Sequence, residues 1–170
     1  MLILGIALGV LVTGLGVLYL MRNHMISRVE VKGGFEKVCA ALEQAIEAVE
    51  GWGQPFACWD LYRSQVVKNL NYDNIRALKV FFVCKPIHAN RILRKFPHMA
   101  AMMPCSWTVY EQTDGKVFLA KMNLDLMRKV FLGNVVGTVM GQVAREEKEI
   151  LAEMYKRLEA QPADTEKAQA

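Results

Sequence analysis

The chain has 170 residues, of which 53% are apolar, and it carries a formal net charge of +4 at pH 7. This length suits one domain of ordinary size plus an appendage, which excludes a multidomain enzyme. The apolar share supplies enough material for a core, so predominant disorder is also excluded. The mean hydropathy of +0.15 is unusually high for a soluble domain.

The apolar excess is concentrated in residues 1–21, which read MLILGIALGVLVTGLGVLYLM and contain no charged side chain. About 20 such residues, when helical, span the ~30 Å hydrocarbon core of a bilayer. The segment lacks the basic start and the small-x-small cleavage site of a signal peptide. We therefore predict a single-pass transmembrane anchor at 1–21, followed by a domain at 22–160.

Basic residues directly follow the predicted anchor, at Arg22, Arg28 and Lys32, whereas no basic residue precedes it. Basic flanks favour the cytoplasmic side of a membrane. The sequence thus predicts a cell (inner) membrane protein whose domain lies in the cytoplasm. Gly5 and Gly9 have the spacing that lets two membrane helices approach, although glycines are also common in such helices for other reasons.

The remaining chain alternates strand-like and helix-like patterns. In chain order we predict a strand at 26–32, a helix at 35–50, a short strand at 56–61, a strand at 78–84, a helix at 86–96, a hairpin of strands at 105–111 and 117–122, a helix at 124–131, a long helix after 133 and a disordered tail at 161–170. Because no regular βαβ spacing appears, an α+β fold is favoured over a doubly wound parallel sheet.

On the long helix, apolar residues from Val136 to Leu158 outline the predicted buried face. The run at 146–149, Glu-Glu-Lys-Glu, is expected to lie on the opposite, solvated face. The usual enzyme signatures are absent: there is no GxGxxG, P-loop, GxSxG, HExxH or Cys-x-x-Cys. We therefore predict no catalytic residues and favour a non-enzymatic role.

The richest chemical cluster begins at Cys84 and ends at Cys105, with His88 and several methionines between them. Thiolate, imidazole and thioether suit copper or haem iron, and two cysteines can also form a redox pair. If the strands at 78–84 and 105–111 are antiparallel neighbours, the cysteines lie close; if they are parallel, more than about 20 Å separates them. The alternative is plain packing, so Cys84, His88 and Cys105 are candidate ligand or redox residues and no cofactor is required.

Seven basic residues against one acidic residue stand between positions 68 and 95. Beside a membrane, such a surface would be drawn to anionic lipid head groups. Nucleic acid is the other polyanion it could meet, but the predicted anchor favours lipid, so we expect the bilayer as a partner and no nucleic acid. A simple solvated face is the alternative.

Gly133, Gly137 and Gly141 recur every four residues and would form a smooth stripe on one helix. A glycine inside a helix lowers the stability of that helix by about 1 kcal/mol relative to alanine, so three glycines at this spacing call for a structural explanation. We expect close approach of another helix, or of a partner chain in a homodimer or with another membrane protein. The alternative is a loop that interrupts the helix at these glycines.

Three stretches of the chain resemble one bacterial and archaeal family, the domain of unknown function 302, over roughly residues 26–150. They are VEVKGGFEKVCAALEQAIEAVEGWG, ALKVFFVCKPIHANRIL and MMPCSWTVYEQTDGKVFLAKMNLDLM. The last is similar to the membrane-anchored branch of that family. The resemblance implies a compact α+β domain similar to the TATA-binding protein, with a curved antiparallel sheet and packed helices, often dimeric; it implies no catalytic residues.

Two hypotheses of function follow from the sequence. The first is a membrane-anchored, non-enzymatic accessory or interaction domain that acts at the membrane surface. The second is a metal-, haem- or thiol-redox-binding module that uses Cys84, His88 and Cys105. Visible absorption or bound metal in the purified domain would favour the second hypothesis.

Overall fold

The structure is a computed structural model that describes residues 2–70, 72–131 and 133–160. The predicted tail at 161–170 lies outside these residues. The strands are β1 (Ile26–Val31), β2 (Trp59–Asp60), β3 (Ile75–Val83), β4 (Cys105–Gln112) and β5 (Val117–Met122). The helices are α1 (Leu2–His24), α2 (Phe35–Ala48), α3 (Leu61–Val66), α4 (Pro86–Leu93), α5 (Leu124–Val130) and α6 (Val135–Ala160), with a 3-10 helix at Pro97–Met102.

Within the described residues the strands form one sheet in the order β1-β5-β4-β3-β2, and every neighbouring pair is antiparallel. The predicted α+β fold with a mainly antiparallel sheet is therefore confirmed. The hairpin between β4 and β5 turns at Asp114-Gly115, where Asp114 Oδ1 accepts a hydrogen bond from Lys116 N at 3.1 Å and Gly115 has a φ of +85°. A positive φ favours glycine at that position.

Helix α2 packs against α6 and against strands β3 and β4 of the sheet, and α6 also packs against α4 and α5. On α2 the buried side chains recur every three to four residues, as the sequence predicts, and Leu42 and Ile46 are fully buried. They meet Phe81 and Trp107 in one core that also includes Ile150. Burial of each such large apolar side chain stabilises the fold by about 1.5–3 kcal/mol.

The structure differs from the predicted elements mainly between residues 54 and 102. The predicted strand at 56–61 is reduced to the two residues of β2, and α3 follows it directly, with Asp60 Oδ1 accepting a hydrogen bond from Arg63 N at 2.8 Å. The predicted helix at 86–96 ends at Leu93, and Pro97 begins a 3-10 helix that the sequence pattern did not predict. Short 3-10 helices lack the strong periodicity that reveals longer helices.

Among the described residues, α1 contains the span that is long and apolar enough to cross a membrane, from Gly5 to His24. None of that span is buried against the protein, unlike the core helix of a soluble domain. An apolar helix near the N-terminus can also belong to a signal sequence, so permanent anchoring remains a prediction.

The prediction that residues 146–149 lie on a solvated face of α6 is wrong for two of the four residues, because Glu146 and Glu147 turn inward. Glu147 is 2% exposed and Glu146 is partly buried, whereas Lys148 and Glu149 are exposed. Buried positions on α6 include 136, 140, 143, 150 and 154, and position 147 falls into the same alternation of four and three residues. Glu147 is tolerated there because Lys121 Nζ donates to its carboxylate at 2.6 Å and Trp107 Nε1 donates at 3.3 Å.

The three predicted stripe glycines do not lie on one helix. Gly133 precedes α6 in a turn with a φ of +81°, and α6 starts after Asn134, whose Oδ1 accepts hydrogen bonds from the backbone N of Val136 and Gly137. This is an ordinary N-terminal cap. A Cβ on Gly137 would collide with the carbonyl oxygen of Phe131, and one on Gly141 would lie 3.4 Å from Arg128 Cδ. The close approach is therefore made by the end of α5 and the turn after it in the same chain.

We expect Gly137→Ala to lower the free energy of unfolding by about 1–3 kcal/mol, because the collision is with backbone that must shift. Gly141→Ala is the matched control. Its methyl group meets only a flexible arginine side chain, so we expect it to be neutral or to stabilise the helix by up to about 1 kcal/mol. Urea unfolding of the full chain in detergent micelles measures both, and equal losses would contradict this account.

Candidate functional site

The antiparallel pairing of β3 with β4 brings the predicted cysteines to one end of the sheet. Val83, the last residue of β3, lies opposite Cys105, the first residue of β4. Cys84 forms backbone hydrogen bonds with Gly53, at 3.0 and 3.1 Å, just beyond that point. Cys84, His88 and Cys105 all line one cavity of about 70 Å³, which we call the inner pocket.

The walls of the inner pocket are almost entirely apolar or sulfur-containing. Aliphatic side chains come from α4 and α6, among them Ile92, Val139 and Val143. Among the described residues, five methionines also line it: Met99, Met102, Met103, Met122 and Met140. The chain has ten methionines in all, so half of them surround one small space. Met122 and Met140 lie outside the sequence cluster and were missed, because no local spacing joins them to Cys84.

Beside the inner pocket, the carboxylate of Glu146 lies within hydrogen-bond distance of three side chains. Trp52 Nε1 and Lys85 Nζ donate to Glu146 Oε2 at 2.8 and 2.9 Å, and His88 Nε2 lies 2.9 Å from Oε1. Burial raises the pKa of Glu146, but the hydrogen bonds from Lys85, His88 and Trp52 outweigh it and lower the pKa to about 2. Glu146 is therefore ionised at neutral pH and can only accept hydrogen bonds.

The hydrogen bond to Glu146 determines which ring nitrogen of His88 carries the hydrogen. Because the carboxylate only accepts, Nε2 carries the hydrogen, and in the neutral ring Nδ1 presents a lone pair. Nδ1 is buried, and in the part of the chain that the structure describes it has no hydrogen-bond partner. A buried polar atom without a partner costs about 1–3 kcal/mol, so this nitrogen is the outstanding polar feature of the inner pocket.

The two cysteines of the inner pocket are free thiols. Burial raises the pKa of Cys84, and burial together with the charge of Glu147 raises the pKa of Cys105 to about 11. Both thiols are therefore protonated at neutral pH, and protonated thiols are weak nucleophiles. This environment disfavours the thiol-redox interpretation of the pair.

A second and larger cavity adjoins the inner pocket. This outer cleft has a volume of about 390 Å³, within the roughly 300–1,000 Å³ of small-molecule sites. It shares a wall with the inner pocket, formed by Met102, Met103, Pro104, Cys105 and Met122. We call these five residues the shared wall.

The outer cleft reaches the junction with α1. Ile26, two residues after α1 ends, lies in its lining. The junction is fixed by Asn123, whose backbone N donates to Met25 O at 2.8 Å and whose Nδ2 donates to His24 O at 3.0 Å. The cleft therefore opens beside the point where the apolar helix meets the domain.

The structure limits what Cys84, His88 and Cys105 can hold by themselves. Among the described residues, no three His, Cys, Asp or Glu side chains come together as a group that could hold a metal ion. Any metal in the inner pocket would therefore need thioether sulfur as well. The pocket volume of about 70 Å³ leaves no room for haem without movement of the walls.

Three of the seven basic residues between positions 68 and 95 are paired with carboxylates. Arg76 pairs with Glu111, Lys79 with Glu36 and Lys85 with Glu146, at 2.9, 2.6 and 2.9 Å. Lys68, Arg94 and Lys95 are exposed. Because the paired charges are partly neutralised, the surface that could attract lipid is smaller than the sequence suggests.

Comparisons with known proteins place the chain in one family and give no activity. A family model described as "Domain of unknown function DUF302" matches residues 27–158. An uncharacterized protein of Aquifex aeolicus (strain VF5) is 35% identical over 54 residues, which cover 32% of this chain and 38% of that protein. The chain thus aligns with well under half the length of this relative.

The fold is also similar to a solved structure, that of an uncharacterized conserved DUF302 protein from Bacillus stearothermophilus. The TM-score is 0.64 at 18% identity, and the match covers 79% of this chain and 98% of the other. At this identity the likeness concerns the fold alone.

Proposed function

The chain belongs to the family described as domain of unknown function DUF302, and we propose its function from its own geometry. It is a membrane-anchored, non-enzymatic binding domain that takes a small ligand into the inner pocket through the outer cleft. The observation that carries this proposal is the shared wall, because the same five residues border both the inner pocket and a cleft that begins beside the end of α1.

The anchoring part of the proposal is supported by the exposure of α1. Between residues 5 and 20 its apolar side chains are exposed rather than packed against the domain; Val10 and Leu18, for example, are 69% and 65% exposed. Exposed apolar surface of this extent is stabilised by hydrocarbon. The basic residues in the last turn of the helix and after it, Arg22 and Arg28 among them, support a cytoplasmic domain on the inner membrane.

The binding part of the proposal is supported by the composition of the site. A concave, mostly apolar space with a few convergent polar groups is the usual form of a small-molecule site. Here the polar groups are His88 Nδ1 and the thiols of Cys84 and Cys105. A ligand that enters from the membrane surface would pass Ile26 and the shared wall before it reaches them.

A matched pair of variants tests the route through the cleft. Ala101 is exposed and lines the outer cleft, whereas Ala100 is its exposed neighbour on the same 3-10 helix and does not belong to the lining. We expect the apolar fluorophore N-phenyl-1-naphthylamine to bind the full chain in detergent micelles. Ala101→Trp should weaken that binding at least about tenfold because the indole fills the cleft, and each tenfold loss corresponds to about 1.4 kcal/mol.

Ala100→Trp is expected to bind the fluorophore as the unmodified chain does. Fluorescence titration at matched detergent concentration, with empty micelles subtracted, measures the affinities. Equal binding by the two variants, or binding no greater than that of empty micelles, would contradict the proposal.

A further inference from the structure

We infer that the inner pocket takes a soft monovalent metal ion, Cu(I), coordinated by His88 Nδ1 and by methionine thioethers of its wall. This inference rests on the proposed function, because it names the ligand class of the same small-ligand site.

The donor atoms of the inner pocket select the metal class. Hard cations such as Ca²⁺ and Mg²⁺ require several oxygen ligands, and among the described lining residues there is no Asp, Glu, Asn or Gln. Thioether and thiol sulfur favour Cu(I). The sulfur atoms come from separate parts of the fold, with Met99, Met102 and Met103 on or beside the 3-10 helix, Met122 at the end of β5 and Met140 on α6.

His88 has the arrangement of a metal-ligating histidine. Such a histidine usually donates its second ring N–H to a carboxylate, which fixes the ring and raises its basicity. His88 does so through Nε2 to Glu146 at 2.9 Å, and its buried Nδ1 is left with its lone pair. Trp52 and Lys85 in turn hold the Glu146 carboxylate at 2.8 and 2.9 Å. Glu146 is therefore the positioning residue for His88.

Charge and size favour a single monovalent ion. Imidazole and thioether are neutral ligands, and Lys85 is already paired with Glu146, so the site offers little negative charge to a divalent ion. Desolvation of a buried charge is costly and rises with that charge. The inner pocket, at about 70 Å³, has room for an ion and one small co-ligand. Cys84 or Cys105 can add a thiolate, and its proton is then released to solvent.

The test uses the full chain in detergent micelles under anaerobic conditions, with Cu(I) supplied in competition with bicinchoninate. Replacing Met102 and Met103 together by leucine keeps side-chain volume and removes two thioethers. Met154→Leu is the matched control, because Met154 is fully buried and lies outside the pocket lining. We expect one Cu(I) per chain, unchanged affinity in the control, and a loss of at least about tenfold in the double variant.

A third variant, Glu146→Gln, tests whether the carboxylate orients His88 or whether the side chain only fills space. It keeps the size of the side chain but removes the carboxylate that orients His88, so Cu(I) affinity should fall by about 10–100-fold, with copper X-ray absorption showing loss of the nitrogen ligand. Equal affinities for the double variant and Met154→Leu, or no Cu(I) retained against bicinchoninate, would overturn the inference. The proposed function is judged separately, because fluorophore binding that depends on Ala101 would stand even if Cu(I) failed to bind.

Discussion

Replacing Lys121 by methionine is expected to lower the free energy of unfolding by about 3–5 kcal/mol, the usual cost of leaving a buried charge without its partner. Lys121 Nζ lies 2.6 Å from Glu147 Oε2, and the two side chains are 15% and 2% exposed. Burial raises the pKa of Glu147, and Lys121 opposes that effect. Without Lys121, the carboxylate must either remain charged in the core or take up a proton at neutral pH.

A second variant shows whether the loss comes from the unpaired charge. Combining Lys121→Met with Glu147→Gln removes the charge but keeps a carbonyl oxygen for Trp107 Nε1, so most of the lost stability should return. Urea unfolding of the single and double variants measures the difference. A loss below about 1 kcal/mol in Lys121→Met, as for an exposed pair, would show that Glu147 is not buried as described.

The second large effect is the acid sensitivity that Glu146 confers. Its pKa is lowered from 4.5 to about 2 in the folded chain, so the folded state binds fewer protons than the unfolded state between these values. The stability that this group contributes is therefore complete above about pH 4.5 and is lost as the pH falls toward 2. Its size is about 2–3 kcal/mol after allowance for partial exposure.

Glu146→Gln should remove this part of the acid dependence. The difference in unfolding free energy between the unmodified chain and the variant should be constant near neutral pH and shrink below about pH 4.5. Glu149→Gln serves as the control, because Glu149 is an exposed glutamate on the same helix. A difference that stays constant down to pH 2 would contradict the hydrogen-bonded arrangement of Glu146.

The sheet was largely predictable because each strand carries a strong local signal. The β-branched and aromatic residues of β3, the Asp114-Gly115 turn and the alternation in β1 give most strand bounds to within a few residues. The apolar spacing of α2 gives its buried face in the same way. These features depend on neighbours in sequence, which periodicity records directly.

The candidate site was predictable only in part, because it is assembled from distant segments. Cys84, His88 and Cys105 stood out locally, and antiparallel pairing of β3 with β4 brings them to one cavity. Glu146 was assigned to solvent because charged residues usually lie there, although three donors hold it. The burial of Glu147 could have been predicted, since position 147 continues the buried spacing of α6.

The most direct test of the account is nuclear magnetic resonance of methyl-labelled methionines in the full chain in micelles, titrated with N-phenyl-1-naphthylamine. The central claim is that the inner pocket and outer cleft form one continuous binding site across the shared wall. It predicts that the methyl signals of Met99 and Met140, which line only the inner pocket, shift together with those of Met102 and Met122 in the shared wall, while that of Met154 stays in place. Shifts that include Met154 equally, or that are confined to the shared wall, would contradict the claim.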